Sequence, residues 1–196
     1  MSTIVVLASG SPRRLELLRR LGLEPVVRPA DVDERVLPGE GPTEHVARLA
    51  RDKAMAVERR TEDLVIAADT EVVLDDRVLG KPADDADASG MLRSLAGRSH
   101  RVLTGVHVVH DGREAGAVEI TQVWIRGLTD DEITAYIGTR EPFDKAGGYG
   151  IQGAGGMFVT RIEGSDSNVI GLPLATVVRL AADVGVTLLP RLPPGS

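Results

Sequence analysis

Near the start of the chain, Ser9-Gly10-Ser11-Pro12-Arg13-Arg14 puts two hydroxyls, a turn and two guanidinium groups into one short stretch. Ser11 stands where a helix N-cap belongs, and Pro12 at the first helical position, where its missing N–H costs nothing. Free backbone N–H groups, the positive end of a helix dipole and two guanidinium forks meeting at one spot favour a phosphate. A capped helix with solvated arginines is the plainer alternative for these residues. Neither a Walker A loop nor a dinucleotide fingerprint is present.

Four further places carry unusual chemistry. Asp69 and Thr70 directly follow the apolar run Leu64–Ala68, and a carboxylate delivered by a buried strand suits a ligand site at the end of an α/β sheet. Lys53 falls on the same helical stripe as Val46, Leu49, Ala50 and Val57. Burying an unpaired ammonium is costly, so Lys53 either snorkels to water or has an anionic partner, for which a bound phosphate or Asp69 would serve. Lys81, in Gly80-Lys81-Pro82, is a phosphate contact if a hairpin presents it near Asp69, and otherwise a surface lysine. Glu141 to Gly156 interleaves six glycines with Asp144, Lys145, Tyr149 and Gln152, which is unlike a linker and suits a backbone approaching a ligand closely. His100, His107 and His110 show no metal-ligand spacing and are expected to be structural.

The elements that must position these residues follow from periodicity and punctuation. Thr3 to Ala8 and Glu24 to Arg28 read as strands, with a helix between them stopped by Gly22. A loop holding Asp31, Asp33 and Glu34 leads to a long helix from Pro42 to about Arg60. Leu64–Ala68 reads as one strand, and Glu71–Leu74 with Arg77–Leu79 as a hairpin about Asp75-Asp76. Asp84 caps a helix to Leu95, and Asp111-Gly112 joins two long strands, Ser99–His110 and Glu114–Arg126. Thr129 to Glu132 is a capping box, Met157–Glu163 a strand, Ser165–Asn168 a turn, and Pro173–Val184 a last helix. The order predicts a mixed α/β protein with an extended, partly antiparallel sheet flanked by helices, over residues 1–189, with a disordered tail over 190–196.

Composition bounds the function. The 196 residues carry no cysteine, so neither a disulfide framework nor a thiolate site is expected. No apolar run approaches membrane-spanning length and the N-terminal segment lacks a leader pattern, which predicts a cytoplasmic protein with no membrane partner. A net charge of −6 argues against nucleic acid as partner, yet a few cations focused in one cleft can still hold a triphosphate.

The opening octet Leu7–Arg14 resembles the start of the Maf family of nucleoside-triphosphate pyrophosphatases. The resemblance continues in order through Asp33-Glu34, Arg51–Ala54, Ala68–Thr70, Gly80–Pro82, Asp144–Gly147, Gly150–Gly153 and Gly171–Leu174. Asp166 departs from it, because the family usually has an aromatic residue there. The resemblance implies an inosine-triphosphatase-like fold of two lobes with a central cleft, a homodimer, and hydrolysis of a nucleoside triphosphate to the monophosphate and pyrophosphate. It raises Glu34 as a metal or water-positioning carboxylate. Catalysis would then rest on Asp69, Glu34, Lys53 and Lys81, with Mg²⁺ or Mn²⁺ on Glu34 and Asp69. Ser9, Ser11, Arg13, Arg14, Thr70, Lys145 and Gln152 would contact substrate. One subgroup of the family takes dTTP and UTP and another 7-methylguanosine triphosphate. Arg13, Thr70 and Gln152 are similar to the pyrimidine set, and no aromatic face is offered to a cationic base. A non-catalytic nucleotide-binding regulator of cell division is the alternative.

Overall fold

The computed structural model describes residues 3–188. Strand Val5–Leu7 (β1) leads through helix Pro12–Arg20 (α1) and strand Val26–Val27 (β2) to helix Pro42–Ala56 (α2). Strands Leu64–Leu74 (β3) and Arg77–Leu79 (β4) precede helix Asp85–Leu95 (α3). Strands Ser99–His110 (β5) and Arg113–Ile125 (β6) then lead to helix Asp130–Gly138 (α4). Strand Val159–Glu163 (β7) and helices Asp166–Ile170 (α5) and Leu174–Asp183 (α6) complete the described chain. The strands form a seven-stranded mixed sheet in the order β2-β1-β3-β5-β6-β7, with β4 beside β3. β1 runs parallel to β2 and β3, whereas β3–β4 and β6–β7 are antiparallel. The mixed α/β class is as the sequence predicts, and the tail expected from Pro190 lies outside the described residues.

Two compact units share these strands. The first holds the described residues up to Asp69, Thr104–Glu119 and the chain from Gly171; the second holds Thr70–Leu103 and Ile120–Ile170. In the first, Val6, Ala8, Val65 and Ala67 pack with Ala54 and Val57 of the α2 end. In the second, Leu92 and Leu95 of α3 and Ile133 and Tyr136 of α4 pack on Val72, Val102 and Val123.

β1 and β2 are shorter than the strands expected at Thr3–Ala8 and Glu24–Arg28, and four further boundaries move. β3 is one strand of eleven residues, so Asp69 and Thr70 lie within it rather than beyond its end. Its ladder to β1 stops at Ile66 and its ladder to β4 starts at Val72, leaving the half-buried pair in the interval. α2 stops at Ala56 because Val57 turns to an extended conformation and is buried, while Arg59 Nη1 donates to the carbonyls of Ala54, Met55 and Val57. The expected turn at Ser165–Asn168 opens α5: Ser165 Oγ accepts from Asn168 N at 3.2 Å, an N-cap bond. β7 begins only at Val159, after a 3-10 turn over Ala154–Phe158.

One glycine fixes the helix that carries Lys53. A Cβ on Gly105 of β5 would stand 2.1 Å from Val46 O of α2, so only glycine lets the strand lie this close on the helix backbone.

His100 generates an acid-sensitivity prediction. Its ring is buried, Nε2 lies 2.8 Å from Tyr149 Oη, and Nδ1 has no partner among the described residues. Burial pushes its pKa down to about 4. The unfolded chain protonates this imidazole near its ordinary value of about 6.5. Between those values the unfolded state binds more protons, so stability falls as pH drops through that window, by up to about 3 kcal/mol. Urea unfolding at pH 7 and at pH 4.5 should show a smaller loss in His100→Gln than in the parent, and equal losses would remove His100 as the cause.

Candidate active site

In the first unit, the Ser9–Arg14 turn folds as its sequence suggests. Ser11 caps α1, its Oγ accepting from Arg14 N at 3.4 Å, with Pro12 in the first turn. Ser9 Oγ accepts from Ser11 N at 3.2 Å and from Arg14 Nη1 at 3.0 Å. Arg14 Nε donates to Gly171 O at 2.8 Å. Thus the fork of Arg14 ties the N-terminal turn to the segment ahead of α6, while Arg13 is half-buried. Burial lowers the Arg14 pKa most; the Asp69 and Glu34 carboxylates oppose that shift and Arg13 adds to it. Asp69, Glu34 and Arg13 therefore all act on the Arg14 guanidinium.

Lys53 lies in the last turn of α2, where the helix dipole favours a cation. It is largely withdrawn from solvent: the residue is 9 % exposed. Its Nζ stands 2.7 Å from Asp69 Oδ1 and 2.6 Å from Glu34 Oε1. The anionic partner inferred for this lysine is Asp69, with Glu34 as a second. The Glu34 carbonyl accepts from His45 Nε2 at 3.1 Å, which fixes the loop backbone beside the carboxylate. Behind it, Arg48 pairs with Glu40 and holds that carboxyl down at about 2. Among the described residues no three His, Cys, Asp or Glu side chains converge. The carboxylate pair on Lys53 is the donor set present, and it suits a hard cation that also takes phosphate oxygens and water.

The other predicted residues belong to the second unit. Thr70 follows Asp69 along β3, and Lys81 is exposed beyond β4. Gly147 N donates to Gly80 O at 2.9 Å, so the glycine-rich segment is bonded to the residue preceding Lys81. Lys145 Nζ donates to Asp144 Oδ1 at 2.5 Å and to Glu141 O at 2.9 Å. Gln152 is exposed.

The glycines of this segment serve its own wrapping. Glu141 Oε1 accepts from Tyr136 Oη at 2.9 Å and Gly155 N at 3.3 Å, and Oε2 from Ala154 N at 2.9 Å. Tyr136 Oη in turn accepts from Gly150 N at 3.1 Å. Burial pushes the Tyr136 hydroxyl pKa up, so it remains a donor. A Cβ would stand 2.4 Å from the Glu141 carboxylate at Gly153 and 2.6 Å from Tyr136 Oη at Gly155. At these positions glycine makes room for Glu141 and Tyr136. Neither residue was singled out for the site in the sequence. The local signal was a lone acid opening a glycine-rich run.

The family described as Maf-like protein matches residues 4–184. The chain belongs to the Maf family. A Maf relative named dTTP/UTP pyrophosphatase from Anaeromyxobacter dehalogenans (strain 2CP-1) is 55 % identical over 192 residues, covering 96 % of this chain and 97 % of its own. Another of that name, from Vibrio cholerae serotype O1, is 51 % identical over 172 residues, covering 87 % and 92 %. A solved structure of a HAM1 protein from Coxiella burnetii aligns with a TM-score of 0.44 at 20 % identity, covering 63 % of this chain and 73 % of that one.

The geometry at Lys53 predicts strong coupling to Asp69. Lys53→Met keeps the apolar stem but leaves two neighbouring carboxylates without their shared cation, whereas adding Asp69→Asn relieves that repulsion. Urea unfolding of the two single variants and the double variant should give an interaction of more than about 1 kcal/mol. Additive losses would mean that the pair contributes nothing as a pair.

Proposed function

We propose that this Maf protein hydrolyses dTTP and UTP to the nucleoside monophosphate and pyrophosphate. The observation that carries the reading is the Lys53 ammonium joined to both Asp69 and Glu34, in a unit whose first turn supplies Arg13 and Arg14. Relatives named dTTP/UTP pyrophosphatase match it over nearly its full length, which supports the substrate class.

A triphosphate brings about four negative charges, so the work is positioning and charge stabilisation. Ser9 Oγ and Ser11 Oγ already accept from protein donors, which leaves each hydroxyl hydrogen to donate to a phosphate oxygen. Arg13, Lys81 and Lys145 supply further cationic donors. Asp69 accepts the proton of the attacking water as its oxygen bonds to the α-phosphorus; the bond to the bridging oxygen breaks and pyrophosphate leaves with that oxygen. Lys53 keeps the Asp69 and Glu34 carboxylates in place through this step. Glu34 and Asp69 would hold a divalent cation, Mg²⁺ or Mn²⁺, which would supply neutralisation of phosphate charge and a more acidic water. Gln152 offers an amide matching the O4/N3 edge of uracil or thymine, and Thr70 a hydroxyl. The absence of cysteine agrees with a cytoplasmic setting.

Incubation with dTTP, UTP, ATP and 7-methyl-GTP, with separation of mono- and diphosphate products, tests the reading. We expect monophosphate and pyrophosphate in amounts exceeding the enzyme, and preference for dTTP and UTP. Asp69→Asn should lose at least about 10²-fold in kcat, as befits removal of a general base. Gln152→Glu should lose much of the pyrimidine preference, because a carboxylate cannot donate to O4. Equal efficiency of the parent on 7-methyl-GTP, or stoichiometric binding without turnover, would defeat the assignment.

A further inference from the structure

A half-buried ion pair not used in the reaction sits behind the loop that carries Glu34. Residues between β2 and α2 form no helix or strand, and Val36 and Leu37 at the loop's outer part are 59 % and 49 % exposed. A segment of this kind has no ladder to fix it, yet Glu34 must meet Lys53 to within a few tenths of an ångström. The required order comes from side chains of α2.

Arg48 supplies most of it. Its Nε donates to Glu40 Oε1 at 2.6 Å and its Nη2 to Glu40 Oε2 at 2.9 Å, a two-pronged bond. The same Nη2 donates to Arg35 O at 3.0 Å, next to Glu34 in the chain. Glu40 Oε2 also accepts from Leu37 N at 2.9 Å, closing the loop on itself. Nη1 is braced by Asp52 Oδ2, one turn further along α2, at 3.3 Å. The Arg48 and Glu40 side chains are 22 % and 8 % exposed, unlike the solvated pair that Arg51 of the same helix makes with Glu114 of β6, whose side chains are 53 % and 43 % exposed. Exposed pairs contribute little; a shielded two-pronged one holds a geometry.

We propose that Arg48 is a positioning residue: it anchors the loop at Arg35 and Glu40, and so sets the Glu34 carboxylate at Lys53. The inference rests on the proposed role of Glu34. Charge alone does not suffice, since lysine cannot present the planar fork that Glu40 and the Arg35 carbonyl share.

The test uses Arg48→Gln and Arg48→Lys, each alone and combined with Glu34→Gln. Amide hydrogen exchange over residues 31–41 is measured without nucleotide, and steady-state kinetics on dTTP with Mg²⁺. In Arg48→Gln we expect exchange at Leu37 and its neighbours to accelerate by about tenfold or more. Its kcat should fall roughly 10- to 100-fold, with KM within about twofold, as for a misplaced catalytic group. With Glu34 already replaced, the same change should cost no more than about twofold further. Arg48→Lys should show the pattern in weaker form, and it carries the test should the glutamine variant not fold. Unchanged exchange in the loop overturns the proposal, and so does a kcat loss that is as large without the Glu34 carboxylate as with it. A parent protein that turns over no triphosphate defeats the functional reading instead, and the exchange data then decide whether Arg48 holds the loop.

Discussion

An ammonium group cannot be left alone at the edge of an apolar stripe, and at Lys53 this constraint organises the first unit. α2 must bring the lysine to Asp69 in β3, while the loop ahead of α2 must bring Glu34 to the same nitrogen. Each side of that arrangement has its own support. Gly105 lets β5 lie directly on the α2 backbone, and Ala54 and Val57 pack the helix end against Val65 and Ala67 of β3. The cation and both carboxylates are thus held by different parts of the chain, and the desolvation cost of Lys53 is met by two partners rather than one.

Much of this was legible in the residues. The Ser11 cap, the proline in the first turn and the capping box at Thr129 are local chemistry and appear as read. Lys53 was conspicuous because a charge broke an apolar stripe, and the anion required of it is present. What escaped reading is non-local. Asp69-Thr70 looked like the end of a strand, because a polar pair interrupts an apolar run; the strand continues because it changes partner from β1 to β4 about that pair. α2 looked one turn longer than it is, since Val57 continues the stripe while its backbone leaves the helix. The Arg48–Glu40 bond joins a loop to a helix and leaves no periodic trace. The glycines around Gly150–Gly155 were visible, but their reason was not, because the atoms they make room for belong to Tyr136 and Glu141.

The second unit shows how a glycine-rich segment can be rigid. Glu141 gathers one hydroxyl and two backbone N–H groups, and Tyr136 a third N–H, so the backbone on both sides of Gln152 is bonded while Gln152 itself stays exposed. A side chain presented from a fixed backbone can distinguish hydrogen-bonding edges that a mobile one would average.

Neither unit is a continuous stretch of chain: β3, β5 and β6 each begin in one and end in the other, with crossings at Asp69–Thr70, Leu103–Thr104 and Glu119–Ile120. A gene segment encoding either unit alone therefore does not exist. Recombination cannot graft a new second unit onto an old first one without cutting strands in their middle. Side-chain replacement leaves those shared strands whole, whereas exchange of a unit would sever three of them.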